Sequence, residues 1–229
     1  MPPTTFPGPR ASADGRLPRV YVPRHFSMDD PDAVDSFLAA HPAAQLVTVG
    51  PDGVPDATLL PYLRDGDRVL AHFARANPHW QRIEDGAPAL LVVSGANAYV
   101  SPGWYASKRV HGRVVPTWNY SAVHFRGTVH VHDDPEWLLD VVTRLTERHE
   151  AERVDRWAVT DAPEKYVRSN LQAIVGVEVI VQRVEAKAKL GQNRSVEDRL
   201  GTISGLLAEG SASAHEVASA MRAVTPEAP

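Results

Sequence analysis

Apolar and polar residues alternate along several stretches of this chain and shift to helical spacing between them. Alternation with a period of two marks a half-buried strand, because successive side chains leave opposite faces. Residues 45–49, 56–63 and 68–73 read as three strands. The turns between them, GPDGVP at 50–55 and RDGD at 64–67, are rich in residues that preset or tolerate turn geometry. Residues 89–94 are almost wholly apolar, the pattern of a strand buried on both faces, and 98–101 reads as a further strand or edge segment. A long alternating strand covers 121–132, and another covers 174–189 with apolar residues at 175, 177, 179 and 181.

Helical spacing takes over elsewhere. Asp29, Asp30 and Asp32 surround Pro31 ahead of Val34, Phe37 and Leu38, so a helix starts there and stops before Pro42. Pro78 opens a short helix to about residue 84. Asp134, Pro135 and Glu136 begin a helix carrying Trp137, Leu138, Val141, Val142 and Leu145 on one stripe. Further helices are predicted over 163–171 and 196–207, with a possible one over 213–223. Six or seven strands without regular strand–helix alternation predict a mainly β, α+β fold, an antiparallel sheet or small barrel with helices outside. Residues 1–19 read as a disordered arm, 20–208 as the domain, and 209–229 as an Ala/Ser-rich tail, partly helical or disordered.

Composition narrows the chemistry. A 43% hydrophobic content supports a real core, and no apolar run approaches the ~20 residues of a membrane helix. The formal net charge of −4 disfavours broad nucleic-acid binding. The chain has no cysteine, which excludes disulfides, thiolate catalysis and cysteine-ligated metals. No secretory signal is visible, so a cytoplasmic location is the expectation.

Two segments carry candidate chemistry. AHFARANPHW at 71–80 turns a strand into a helix start beside Arg75, which suits the phosphate or carboxylate of a ligand. PGWYASKRVHGRVVP at 102–116 reads as a long connection with aromatics and cations, and such connections are commonly functional. His124, His130 and His132 share strand parity. A solvent-facing strand edge explains them better than zinc, because no fourth ligand is obvious nearby. Trp137 and Trp157 read as core or packing residues.

Five motifs occur in order: VYVPRHF at 20–26, ARANPHW at 74–80, AYVSPGWY at 98–105, VPTWNY at 115–120 and KLGQNRS at 189–195. Together they resemble the PaiB family of FMN-binding negative transcriptional regulators. The resemblance implies a split β-barrel of the FMN-binding, pyridoxamine-phosphate-oxidase-like type, a homodimer with FMN at the subunit interface. His72, Arg75 and Asn77 would form the anion and ring-edge side of the site. Trp104, Tyr105 and Trp118 would form a stacking lid. Lys189, Gln192 and Asn193 would close it, with Thr58, Asn119 and Arg194 as further polar contacts. The related haem-dependent piperazate synthases imply an alternative, with His72 and Lys189 as iron ligands and an N–N bond-forming reaction. Three activities follow: a transcriptional regulator, a flavin-dependent oxidoreductase, or this haem enzyme. Direct DNA binding has little sequence support, since no basic recognition helix is visible. The chain departs from the family pattern with Leu59 where His is usual, Ala71 for Gly, Ala188 for Trp and Gly191 for Ser.

Overall fold

A computed structural model describes residues 20–225. The expected arm at 1–19 and the last four residues lie outside the described residues. In chain order the elements are α1 (Pro31–Ala40), β1 (Ala43–Val49), β2 (Pro55–Asp65), β3 (Arg68–Ala74), β4 (Ala87–Val100), α2 (Ser107–His111), β5 (Thr117–His132), α3 (Pro135–Glu150), α4 (Glu164–Leu171), β6 (Ile174–Lys189), α5 (Val196–Glu209) and α6 (Ala212–Ala223). The strands close into an antiparallel barrel in the order β1-β2-β3-β6-β5-β4. The chain is thus a split β-barrel with helices packed outside.

Helix starts are written locally. Asp30, Asp134, Ser195 and Ser211 each accept an N–H of their own first turn, and Pro31 and Pro135 sit where a missing N–H goes unfelt. Gly210, at φ 76°, ends α5 in the left-handed region and lets α6 fold back.

The inward faces of the strands fill the barrel. Leu46, Tyr62, Phe73, Val93, Val123 and Phe125 are fully buried there. A second core holds α5 and α6 against the far ends of β4 and β6 through Ala98, Ala188, Leu206, Val217, Ala218 and Met221. A third, small one packs Leu70 against Val141 and Leu145 of α3.

Several expectations change. Residues 212–223 are not an appendage, because α6 buries four side chains in the second core. Residues 89–94 belong to one strand, β4, whose register shifts between Ser94 and Asn97. That strand is not buried on both faces: Ala89, Leu91 and Val93 point inward, while Leu90 and Val92 stay half-buried outside. Segment 102–116 is not structureless, since it holds a 3₁₀ turn at Pro102–Trp104 and α2. The helix at Pro78 is also 3₁₀ and ends at Arg82. His124, His130 and His132 do share a face, but β5 lies between β4 and β6 rather than at an edge. There His130 pairs with Asp85, and His132 pairs with Glu178 and stacks on Trp137. Trp157 is 48% exposed and does not pack into a core.

Candidate functional site

The residues singled out by motif fall into two groups at opposite ends of β6. At its C-terminal end, Lys189 pairs with Tyr120 of β5. Its ammonium donates to the Thr117 hydroxyl and, at 2.7 Å, to the Trp118 carbonyl. Burial pushes the Lys189 pKa down, and the neighbouring Lys187 and Arg194 add to that. Beyond it the chain reverses through Gly191, whose φ of 80° suits glycine. Gln192 closes this turn, accepting from Leu190 N at 2.9 Å and donating to the Ala188 carbonyl at 2.7 Å. Its amide is therefore occupied within the chain.

The connection 102–116 is pinned over α5. Ser107 donates its N–H and hydroxyl to buried Asp198 at 2.8 and 2.7 Å. Trp104 sits close against two glycines of α5: a Cβ on Gly205 would stand 2.2 Å from its ring, and one on Gly201 would stand 2.2 Å from its carbonyl oxygen. Tyr105 is thereby buried to 4% exposure, with the Arg194 guanidinium 4.8 Å above its ring. Tyr105, Asn119, Lys189, Asn193 and Arg194 all border one cavity of about 110 Å³. Trp118 stands beside it, half-exposed, its indole N–H on Asn97 and its ring edge-to-face with Tyr99. Among the proposed lid residues, Trp118 thus offers a free ring face, while Trp104 is engaged by α5.

The second group surrounds His79. Its ring joins the Thr48 hydroxyl at 2.9 Å to the Thr58 hydroxyl at 2.8 Å. Asn77 donates to the Thr58 hydroxyl at 3.3 Å and accepts the His79 N–H at 3.0 Å as the cap of the 3₁₀ turn. Burial holds the His79 pKa below the ordinary histidine range. Thr48 and His79 were not assigned roles by sequence reasoning, although His79 lies in the ARANPHW motif.

Arg75 is directed elsewhere. Its guanidinium forms an ion pair with Asp133 and also donates to the carbonyls of Gln172 and Ile174. The Asn77 side chain accepts the His79 N–H at the start of the 3₁₀ turn. The reading of Arg75 as a free anion clamp is corrected accordingly: it ties the end of β3 to α4 and β6. It also edges a cavity of about 650 Å³ between α3 and α4. Arg75→Ala is expected to lower the urea midpoint of unfolding, because it removes the Asp133 ion pair and the two carbonyl contacts that tie the end of β3 to β6. A urea titration of the variant checks this, and an unchanged midpoint would contradict it.

His72 leaves the outer face of β3, opposite Gly176 of β6. Its Nδ1 is buried without a hydrogen-bond partner, and burial lowers its pKa. Register positions 176 and 189 are separated by roughly 40 Å along β6 at about 3.3 Å per residue. One chain therefore does not bring His72 and Lys189 together.

A family model described as "Putative FMN-binding domain" matches residues 20–183. The chain belongs to that FMN-binding family. The family fits the PaiB-like motifs, and a relative supports it: "Protease synthase and sporulation protein PAI 2" of Bacillus subtilis is 31% identical over 88% of this chain and 96% of its own length. Two solved structures share the fold. The "FAD and Heme binding protein" of Mycobacterium smegmatis superposes with a TM-score of 0.54 at 20% identity, covering 80% of this chain and 78% of its own. The "Flavocytochrome Anf3" of Azotobacter vinelandii gives 0.54 at 19% identity, over 73% and 72%. The family match spans four of the five motifs and most of the barrel, and the KLGQNRS motif at 189–195 lies beyond it.

Proposed function

We propose that this protein is a flavin-dependent oxidoreductase that works as a homodimer, with FMN held between two copies. The observation that carries this reading is the separation of the two motif groups along β6. A 110 Å³ cavity at Lys189 is smaller than the ~300–1,000 Å³ of ordinary cofactor pockets, so one chain supplies only part of a flavin site. An apolar outer face supports the pairing. Val47 of β1 lies in register between Ala57 of β2 and Leu90 of β4, with Leu59, Val49 and Val92 around it. Leu59 is 60% exposed and Val49 is 54% exposed, an unusual surface unless another chain covers it. Thr58 neighbours Leu59 on β2 but leaves the opposite face, toward His79, so a dimer formed there sets the Thr58–Asn77 group behind the covered strand rather than in the contact itself.

The fit to FMN rests on chemistry present in the chain. Trp118 offers a flat ring face, Thr58 and Asn77 offer ring-edge hydrogen bonds, and Lys189 and Arg194 offer charge. Bound FMN would supply electron and hydride transfer. The residues would orient it and exclude water. In this reading any regulatory role of this chain is indirect, without contact between it and DNA.

A haem reading is favoured by one observation: His72 and Lys189 both have pKa values lowered by burial, and iron takes neutral nitrogen donors. Two copies would be needed to join them. The Mycobacterium smegmatis protein of this fold is an FAD and haem binding protein.

One titration tests these readings. The purified chain is mixed separately with FMN and haemin, passed through gel filtration, and its spectrum and mass recorded. Flavin bands retained at one per chain on a dimer, with NAD(P)H-driven bleaching, are the expected result. Leu59→Glu should give monomers and lose most of the flavin. Stoichiometric FMN on a monomer would overturn the interfacial site, and a retained Soret band with no flavin uptake would favour haem.

A further inference from the structure

The cavity beside Lys189 has an unusual charge balance. Lys189, Arg194 and Arg199 all line it, and none of its lining residues is an aspartate or glutamate. Among the described residues, none of the three cations forms an ion pair. The neighbouring carboxylate, Asp198, is occupied by Ser107. Like charges crowded into a half-dry site repel each other, and water screens them poorly there.

Two buried donors in the same cavity lack proper acceptors. Arg199 is 7% exposed. One of its terminal nitrogens donates to the Val224 carbonyl at 3.0 Å, but its Nε is buried with no partner. Asn119 is 2% exposed, and its amide donates only to the thioether of Met221, at 3.3 Å. Sulfur of that kind is a weak acceptor. A buried donor without a real acceptor is costly and calls for an explanation. Lys189 has used two of its three protons, leaving one for a ligand.

We propose that the pocket between Lys189, Arg194, Arg199 and Asn119 is a binding site for one anionic group of phosphate or carboxylate size. Its volume of about 110 Å³ admits such a group and excludes a flavin ring. An oxyanion there neutralises the three cations and accepts from Lys189, Arg194, Arg199 Nε and the Asn119 amide together. The group belongs to a small molecule whose remainder emerges past Asn193, which lines the cavity and is exposed, toward the open face of Trp118. The proposal stands whether or not the chain carries FMN.

The test uses the full chain and inorganic phosphate, with acetate in parallel and ionic strength held with chloride. Calorimetry is expected to show saturable binding of phosphate, acetate or both at one per chain. Lys189→Met and Arg194→Gln should each weaken it at least about tenfold. Because it removes a charge from a like-charged cluster, Arg194→Gln should melt no lower than the wild type in chloride alone, whereas Lys189→Met also gives up the Thr117 and Trp118 hydrogen bonds and is compared with the wild type by its circular dichroism spectrum before the titration. Arg199→Lys keeps the charge but removes the orphaned Nε and should also weaken binding. Arg75→Gln, at the other end of the barrel, should bind as the wild type does. Phosphate that competes with FMN but not with riboflavin would mark the pocket as the cofactor's own phosphate seat. Phosphate or acetate binding to FMN-loaded protein would mark it as a substrate subsite. Both support the proposal. Absence of saturable binding, or equal binding by wild type and the Lys189 and Arg194 variants, overturns it, and neither result depends on flavin uptake.

Discussion

Gly127→Ala is expected to lower the unfolding free energy by about 3–4 kcal/mol, at the upper end of overpacking effects. Alanine in a strand interior ordinarily gains roughly 0.5–1 kcal/mol over glycine, so the expected sign is reversed here. The reason is local. Gly127 sits at the register shift between β5 and β6, and a Cβ on it would stand 1.9 Å from the Ile180 carbonyl oxygen and 2.8 Å from its carbon. Both are backbone atoms of the partner strand, so no rotamer change relieves the clash. β5 and β6 must separate in the middle of a ladder that extends from Tyr120–Lys189 to His132–Gly176. Because that ladder also sets the spacing of Lys189 from Tyr120, Gly127→Ala should disturb the Lys189 cavity. Urea unfolding measures the effect, and a variant as stable as the wild type would show that the two strands do not approach this closely.

A second large effect is expected from acid. His72, His79 and His124 all have pKa values lowered chiefly by burial, with nearby arginines adding to the shift at His79 and His124. Above the ordinary histidine value near 6.5 all three are neutral in both the folded and the unfolded chain, and their contribution to stability is complete. Below that value the unfolded chain takes up protons first. Stability then falls with pH until the folded pKa values are reached, by at most about 1.4 kcal/mol per pH unit for each histidine. Urea midpoints at pH 7.5, 6.5 and 5.5 should therefore drop steeply only across the last interval. His72→Phe should reduce that drop, because a phenyl ring fills the site without titrating. A midpoint that stays level from pH 7.5 to 5.5 would mean these imidazoles are not held neutral.

The Lys189 motif and the Arg75 motif, read as linear stretches, look like two halves of one cofactor site. Within one chain the barrel separates them along β6. Neither could be completed from local pattern, because the missing partners are distant in sequence. Asp133, which occupies Arg75, lies in the β5–α3 connection. Arg199 belongs to the first turn of α5 and looks like any solvent-facing helical cation. Its burial follows only from the seating of α6 and the Gly191 turn against it. His79 was visible within its motif. Its role depends on Thr48 and Thr58, which β1 and β2 present from the opposite side.

By itself the sequence determined the alternating strands, the capped helix starts, the absence of thiol chemistry and the family motifs, since each rests on residues within a few positions of one another. The tertiary structure alone decided which strands close the barrel, that α6 belongs to a core, that Arg75 is paired, and that three cations and two under-used donors meet in one small cavity. Those outcomes depend on long-range pairing and burial. A chain's local periodicity constrains the face a side chain leaves from, but not what it meets there.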